Sequence, residues 1–268
     1  MTNSRTTFWT ILSLIVASVL LFPACSTDQG DSLARIKNAG QISFAMEGTF
    51  PPFNFYSDKN ELVGFDVDVA REMASRLGVR FRPVITEWSG IIEGLLSRTY
   101  DGILASMAVT EERLRLVNFS VPYYYSGAQL MVRKDAPFKG PEDLRGRTIG
   151  VCSGTTYEND AKDLGAGDIR LYKDDIQALT ELHKGAVDGA ITDKVMCIYI
   201  MNREKLDIKP LGATLRSERM AVAFRKEDVT LLKKVNKILE AMHKDGTLNS
   251  LIIKVALGGY DDSVVKND

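Results

Sequence analysis

Histidine and cysteine are scarce in this chain of 268 residues, which has two of the first and three of the second. His183 and His243 stand far apart and form neither a metal-binding spacing nor a catalytic triad pattern. No paired Cys-x-x-Cys, Walker sequence or dinucleotide fingerprint occurs, so no cofactor and no metal are expected. An excess of one charge is missing too. The 34 basic side chains meet 35 acidic ones, which leaves no bulk field to draw nucleic acid or an anionic membrane surface. What remains is an ordinary soluble composition, 45% hydrophobic and 26% charged, long enough for one or two domains.

The one long apolar run stands at the start. Arg5 precedes apolar residues 8–22, and Pro23, Ala24 and Cys25 come next. A charged segment, a short apolar segment and small residues before a cleavage point predict an export signal over 1–25, too short for a good membrane span. Cys25 at that boundary resembles a lipoprotein signal, in which it is lipidated and becomes the mature N-terminus. Phe22 and Pro23 are not the usual residues before such a Cys, and a plain signal peptide or uncleaved anchor is the alternative. Residues 26–32 read as a flexible tether and 259–268 as a polar tail. Cys152 and Cys197 lie in apolar surroundings and read as buried thiols, with a mutual disulfide as the other option in an exported protein.

The organising stretch is DGILASMAVTEER, residues 101–113. Its small apolar part, 103–109, predicts a buried strand, and Thr110 followed by two acidic residues predicts the start of a helix. A strand that stops where a helix begins leaves backbone N–H groups open to an anion. Arg113 on the first helical turn adds a planar fork that matches a carboxylate. The same spacing also suits a solvated helix residue. The pattern occurs twice: IEGLLSRTYDGILAS at 92–106 and LTELHKGAVDGAITD at 179–193 each read as helix, tight turn and strand. Ser106 falls opposite Asp193. Such a duplication predicts two similar lobes across a cleft, unless two common helix–turn–strand units merely look alike.

Other strand ends fit this frame. EGTFPPF at 47–53 is an irregular loop after a predicted strand at 41–46, where α/β proteins bind ligands. Val69, Met73, Ala74 and Leu77 share one face of a helix that Gly78 stops. Trp88 stands at the next strand-to-helix turn, after a predicted strand at 80–84. In the second half, a strand at 148–152 runs into Ser153, Gly154, Thr155, Thr156 and Tyr157, predicted to open a helix. Its hydroxyls and N–H groups suit a carboxylate or a simple helix cap, and Asp193 suits an ammonium or an N-cap. Residues 230–257 have helical spacing, interrupted at Gly246.

Taken in order, EGTFPPFNF, LVGFDVDVAREMASRLG, the helix at 88–96, YDGILASMAVTEER and VNFSVPYYYSG resemble the bacterial extracellular solute-binding proteins of family 3, over about 33–256. These are amino-acid receptors of ABC importers. The resemblance implies an α/β, type II periplasmic-binding-protein fold of two lobes joined by two crossover strands. QLMVRKD (129–135) and AVAFRKE (221–227) are near-copies where the chain would leave and re-enter the first lobe. Crossings are thus expected at 123–127 and 217–221, with lobe 1 at 33–122 plus 222–258 and lobe 2 at 128–216, closing by a hinge.

The resemblance also implies roles. Arg113 would hold a ligand α-carboxylate, helped by Thr156 and by backbone near Ser106 and Ala108. Asp193 would take the α-ammonium. Phe50 and Trp88 would sandwich the ligand, with Glu47, Cys152 and Tyr157 lining a side-chain pocket of aromatic, moderately apolar character. Relatives commonly carry Ser or Thr where Ala108 stands, and losing that hydroxyl weakens the site by roughly 1 kcal/mol. The expected ligand is an L-amino acid, polar or basic. The expected partner is an inner-membrane ABC permease, served by a monomer in the periplasm or at the cell surface, anchored through its N-terminal lipid and without enzymatic activity. Two alternatives share the fold: a cyclohexadienyl (prephenate/arogenate) dehydratase and a sensory module. In the dehydratase branch a Glu stands three residues after the Thr-Asp of the second-lobe strand, where this chain has Met196.

Overall fold

The computed structural model describes residues 31–256, 258 and 260. The predicted signal, Cys25, most of the tether and the tail after 260 lie outside the described residues. Helix α1 (Ser32–Ala39) begins where the Asp31 side chain accepts the Leu33 N–H, and it stops at Gly40. Strand β1 (Gln41–Met46) comes next, then a small antiparallel sheet of β2 (Thr49–Phe50), β3 (Asn54–Tyr56) and β4 (Leu62–Val63). Gly64 caps α2 (Phe65–Leu77) at φ 126, and a Cβ there would lie 2.2 Å from the Phe53 carbonyl oxygen, so only glycine lets the helix start against that loop. Val69, Met73 and Leu77 recur at every fourth position and are wholly buried. At roughly 2 kcal/mol for each such side chain, this stripe is what fastens α2 to its sheet.

Strand β5 (Arg80–Ile85), a 3-10 turn at Trp88–Gly90, α3 (Ile91–Leu96), β6 (Gly102–Ile103), α4 (Glu111–Leu116) and β7 (Val117–Phe119) complete the first half. The strand expected over 103–109 is far shorter than its apolar sequence suggests. The chain leaves the sheet after Ile103, turns through Ser106 at φ 52, and touches a strand again only where Ala108 bridges Met220. Small apolar residues bury equally well off a ladder when other groups satisfy their backbone.

The second half holds β8 (Tyr124–Arg133), β9 (Thr148–Cys152), α5 (Tyr157–Asp163), β10 (Asp168–Tyr172) and α6 (Asp175–His183). It continues through β11 (Gly189–Asp193), α7 (Lys194–Arg203), β12 (Ile208–Pro210) and β13 (Arg216–Met220). The chain then returns to the first sheet as β14 (Ala223–Arg225) and ends in α8 (Val229–Lys244) and α9 (Thr247–Ala256), parted at Gly246 as expected.

The first large sheet runs β5-β1-β6-β14-β7 and the second β10-β9-β11-β8-β12. In each, the first three strands are parallel and the last two pair antiparallel. Both passages between the halves pair with each other: β13 lies antiparallel on the start of β8, from Met220 opposite Tyr124 to Arg216 opposite Ala128. β8 therefore runs as one continuous strand from passage into sheet. Among the described residues, no helix is long and apolar enough to cross a membrane.

Candidate functional site

The Thr110 hydroxyl accepts the Arg113 N–H at 3.1 Å, which starts α4 and fixes where the Arg113 side chain leaves the helix. That side chain is buried, 8% exposed, so it is not a solvated helix residue. Its Nη1 donates to the Ala108 carbonyl at 3.0 Å and its Nη2 to the Gly154 carbonyl at 3.4 Å. The guanidinium lies over the Trp88 ring, 5.2 Å from its centre. Two bonds do not exhaust the five donors of the fork. Burial draws the pKa of Arg113 down, against the opposing charge of Glu218.

Ser106 is tied inward. Its N–H donates to the Tyr123 hydroxyl at 2.9 Å and its Oγ to Asp66 at 2.9 Å. Asp66 also accepts from Tyr123 at 2.7 Å and from Asn54 at 2.8 Å, and Asn54 in turn holds the N–H groups of Glu47 and Gly48. Burial raises the Asp66 carboxyl to about 6, opposed by those hydrogen bonds. One buried carboxyl thus joins the loop at Glu47, the turn at Ser106 and the start of the passage between halves. The Ser106 N–H, expected to help hold a carboxylate, is committed to Tyr123 instead.

A cavity lies between the halves. The first half contributes Glu47, Phe50, Trp88, Ser106, Ala108 and Arg113 to its wall, and the second contributes Thr155, Thr156, Tyr157 and Asp175. The returning strand β13 adds Glu218 and Met220. The halves touch around it. Trp88 Nε1 donates to the Gly154 carbonyl at 3.0 Å, Phe55 packs on Tyr199, and Asp58 pairs with Arg203 at 2.6 Å.

Two expected wall residues stand elsewhere. Cys152 is fully buried with its Sγ directed to the carbonyls of Ser153 and Lys173 at 3.8 and 3.5 Å, and burial pushes its thiol up. Cys152 and Cys197 are both free and buried, which removes the disulfide alternative. Asp193 is also wholly buried and behind the wall, where it caps α7 by accepting the N–H groups of Val195 at 2.7 Å and Met196 at 3.3 Å. Its Oδ2 meets no partner, and burial raises its carboxyl to about 6.

The turn at 153–157 differs from expectation too. α5 starts only at Tyr157 without a capping hydroxyl; Thr155 donates to the Cys152 carbonyl at 2.7 Å and Thr156 to Glu218 at 3.0 Å. The Gly154 N–H is taken by Glu158 at 2.7 Å.

Asp175 and Glu218 lie outside the expected set, and they add two buried carboxyls to a wall that remains mostly apolar. Asp175 is the first residue of α6, capped by Asp174, with one oxygen lacking a partner. Burial, with Asp174 and Asp193 nearby, raises its carboxyl to about 7. Glu47 is pushed well above the usual carboxylate range by burial and then by Asp175. The cavity is polarised: the charge bearing most on Glu47 is that of Asp175, whereas the charge bearing most on Arg113 is that of Glu218. One faint sequence signal points to Asp175, since Asp174 and Asp175 supply two carboxylates where one helix cap suffices. Nothing comparable marks Glu218. Among the described residues no cluster of His, Cys, Asp and Glu suits a metal ion.

Known proteins place this geometry. L-cystine-binding protein TcyJ of Escherichia coli (strain K12) is 33% identical over 222 residues, covering 82% of this chain and 84% of that protein. A mutant of ArgBP from T. maritima matches with a TM-score of 0.79 at 34% identity, over 83% of this chain and 98% of that one. Truncated ArgBP is also known in an arginine-bound form. The ancestral amino acid-binding protein AncCDT-1, a precursor of cyclohexadienyl dehydratase, gives a TM-score of 0.77 at 34% identity over 83% of this chain and 98% of that one. The fold is the type II periplasmic-binding-protein fold, and relatives are amino-acid-binding proteins of ABC transporters. With its residues 42–255 matching, the chain belongs to the bacterial extracellular solute-binding proteins, family 3.

Proposed function

We propose that this protein captures an L-amino acid with a cationic side chain between its halves and delivers it to an inner-membrane ABC permease. The observation that carries the reading is the pairing of Glu47 and Asp175, one from each half, in the wall of one cavity away from the Arg113 end. Two buried carboxyls with raised pKa values, Asp175 acting on Glu47, suit a cation: a guanidinium or ammonium beside them relieves their desolvation and that repulsion. Arg113 takes the α-carboxylate, and Phe50, Trp88 and Tyr157 enclose the stem. Residues near 123–127 and 217–221 flex as the halves close.

Transport without catalysis is the reading that Met196 supports. It is fully buried, and its sulfur accepts from Thr192 at 3.6 Å, so the place of the dehydratase acid holds a group that cannot donate a proton. The protein acts as an exported monomer, held at the membrane by lipid on Cys25; palmitate labelling that disappears in Cys25→Ser tests the anchor.

Titration calorimetry of the purified protein with L-arginine, L-lysine, L-ornithine, L-glutamine and L-cystine tests the ligand. Basic amino acids are expected to bind, with Glu47→Gln and Asp175→Asn each costing about tenfold or more in affinity and Arg113→Ala abolishing binding. Binding of glutamine or cystine while the basic amino acids stay silent overturns the reading.

A further inference from the structure

The carboxylate and ammonium of an α-amino acid share one carbon, so whatever accepts the ammonium must stand close to Arg113. Asp193 sits behind the wall with one oxygen engaged in capping α7, and Asp175 belongs to the Glu47 end. Glu218 stands at the Arg113 end. Its side chain is 1% exposed, yet it lines the cavity. Oε1 accepts from Arg216 Nη1 at 2.7 Å and from Thr156 Oγ1 at 3.0 Å. Oε2 is buried without any partner. Arg216 is itself clamped by both oxygens of Asp160, at 2.8 and 2.9 Å, so the Glu218 carboxylate is anchored on one side and empty on the other.

Backbone placement agrees. Glu218 and Met220 lie on one face of β13, and Met220 bridges Ala108, which offers no side-chain polar atom to a ligand. Met220, Ala108 and Arg113 all line the cavity with Glu218. An oxygen satisfied by Thr156 and Arg216 would complete a structural role by itself, and a glutamine could supply it. The second, buried and unpartnered oxygen is the part that a structural role leaves unexplained.

We propose that Glu218 is a ligand-binding residue of this site, its Oε2 accepting an N–H of the ligand's α-ammonium. This rests on the amino-acid reading above. Because Glu218 lies on a passage between the halves, the same bond ties a filled site to the backbone that moves on closure.

The test is calorimetry with L-arginine and with 5-guanidinopentanoate, which is arginine without its amino group, on the wild type and on Glu218→Gln. Glutamine keeps an Oε1 acceptor for Thr156 and Arg216 while replacing Oε2 with a donor. L-arginine affinity is expected to fall about 10- to 100-fold, and affinity for the des-amino analogue to change less than about twofold. Equal losses for both ligands, or no loss for either, overturn the assignment and leave Glu218 a support for Thr156. If the glutamine variant does not fold, Glu218→Asp keeps the charge beside Arg216 and withdraws the oxygen; it too must lower the preference for the amino group, and an unchanged preference overturns the proposal. A wild type that binds neither this nor any other amino acid overturns the amino-acid reading and the Glu218 assignment together, whereas wild-type binding with an unchanged preference in the variants overturns the assignment alone.

Discussion

The two large sheets have the same strand order, and β14 in one stands where β8 stands in the other, yet their near-identical ends have opposite fates. Both strands finish in Arg-Lys-acid. Arg225 is 1% exposed, donates to the carbonyls of Leu95 and Tyr100 at 3.0 and 2.7 Å, and pairs with buried Asp228 at 2.9 Å. Arg133, its counterpart, is 40% exposed in its side chain and meets only a surface partner, Asp135, at 3.0 Å. The difference comes from what packs beside each strand end. Arg225 lies against the end of α3 and the turn at Tyr100, with Asp228 beside it, whereas Arg133 is followed by a loop. A repeated sequence therefore repeats topology, while burial is decided by the neighbours.

The largest expected effect tests this contrast. Arg225→Ala strands Asp228 and two carbonyls in the core and should lower the unfolding free energy by about 3–5 kcal/mol in urea titrations. Arg133→Ala should move it by no more than about 0.5 kcal/mol. Similar losses would mean that the two ends are equally structural and that the contrast is void.

Next in size is a pH effect at the ends of the two repeats. The first copy ends at Ser106 on Asp66, raised to about 6, and the second ends at Asp193, also raised to about 6. With Asp175 at about 7, these acids hold their protons more tightly in the folded state than in the unfolded chain, where carboxyls titrate near 4. Their contribution is fully present below about pH 4 and is lost as pH rises through 6 to 7, each group changing stability by a few kcal/mol at most. Asp245, lowered to about 2, and Asp101, also lowered, act in the opposite sense only at lower pH. Ligand-free protein should thus melt higher at pH 5 than at pH 8. A cationic ligand reverses the preference: at pH 6 its binding should release protons, visible as a dependence of calorimetric enthalpy on buffer ionisation. Proton uptake would place the cation elsewhere.

The same contrast between local pattern and neighbourhood explains how far the sequence alone is legible. Arg113, Trp88, Phe50 and the capping Thr110 lie in motifs whose local backbone sets their direction: the first three line the cavity and Thr110 starts its helix. Asp193 reads as a helix cap and as an ammonium partner because either use needs only the end of a strand. Asp175 and Glu218 escape because each reads locally as something common, a second acidic residue at a helix start and a charge in the run RSER. Only the packing of one half on the other turns them into a shared cavity. Cys152 differs in another way: its strand is right, but its thiol is buried against the carbonyls of Ser153 and Lys173 and is not part of the cavity wall.

A middle-sized effect belongs to the contact that both halves share at Gly154, whose carbonyl accepts from Trp88 and from Arg113. Trp88→Phe keeps the ring near Arg113 and removes the 3.0 Å bond. Affinity should fall about fivefold, the worth of one hydrogen bond of about 1 kcal/mol, with little change in ligand-free stability. A loss confined to stability would show that the bond serves folding instead of closure.

The smallest expected effect is at the rim. Asp58 on the first half and Arg203 on the second meet at 2.6 Å, with side chains 69% and 25% exposed. Arg203 also approaches Tyr199 at 3.2 Å and Glu204 at 3.6 Å, so it is held in place without Asp58. An exposed pair of this kind contributes at most about 0.5 kcal/mol and is screened by salt. Asp58→Asn should leave the melting midpoint of the ligand-free protein nearly unchanged and weaken ligand binding about twofold at low salt. At high ionic strength wild type and variant should bind alike, because screening has already removed what the substitution removes. Buried Arg225 should show no such convergence with Arg225→Ala, since its partners lie where salt does not reach. A salt-independent deficit in Asp58→Asn would mean that the rim contact is set by packing around Tyr199, and that charge plays no part in holding the halves together there.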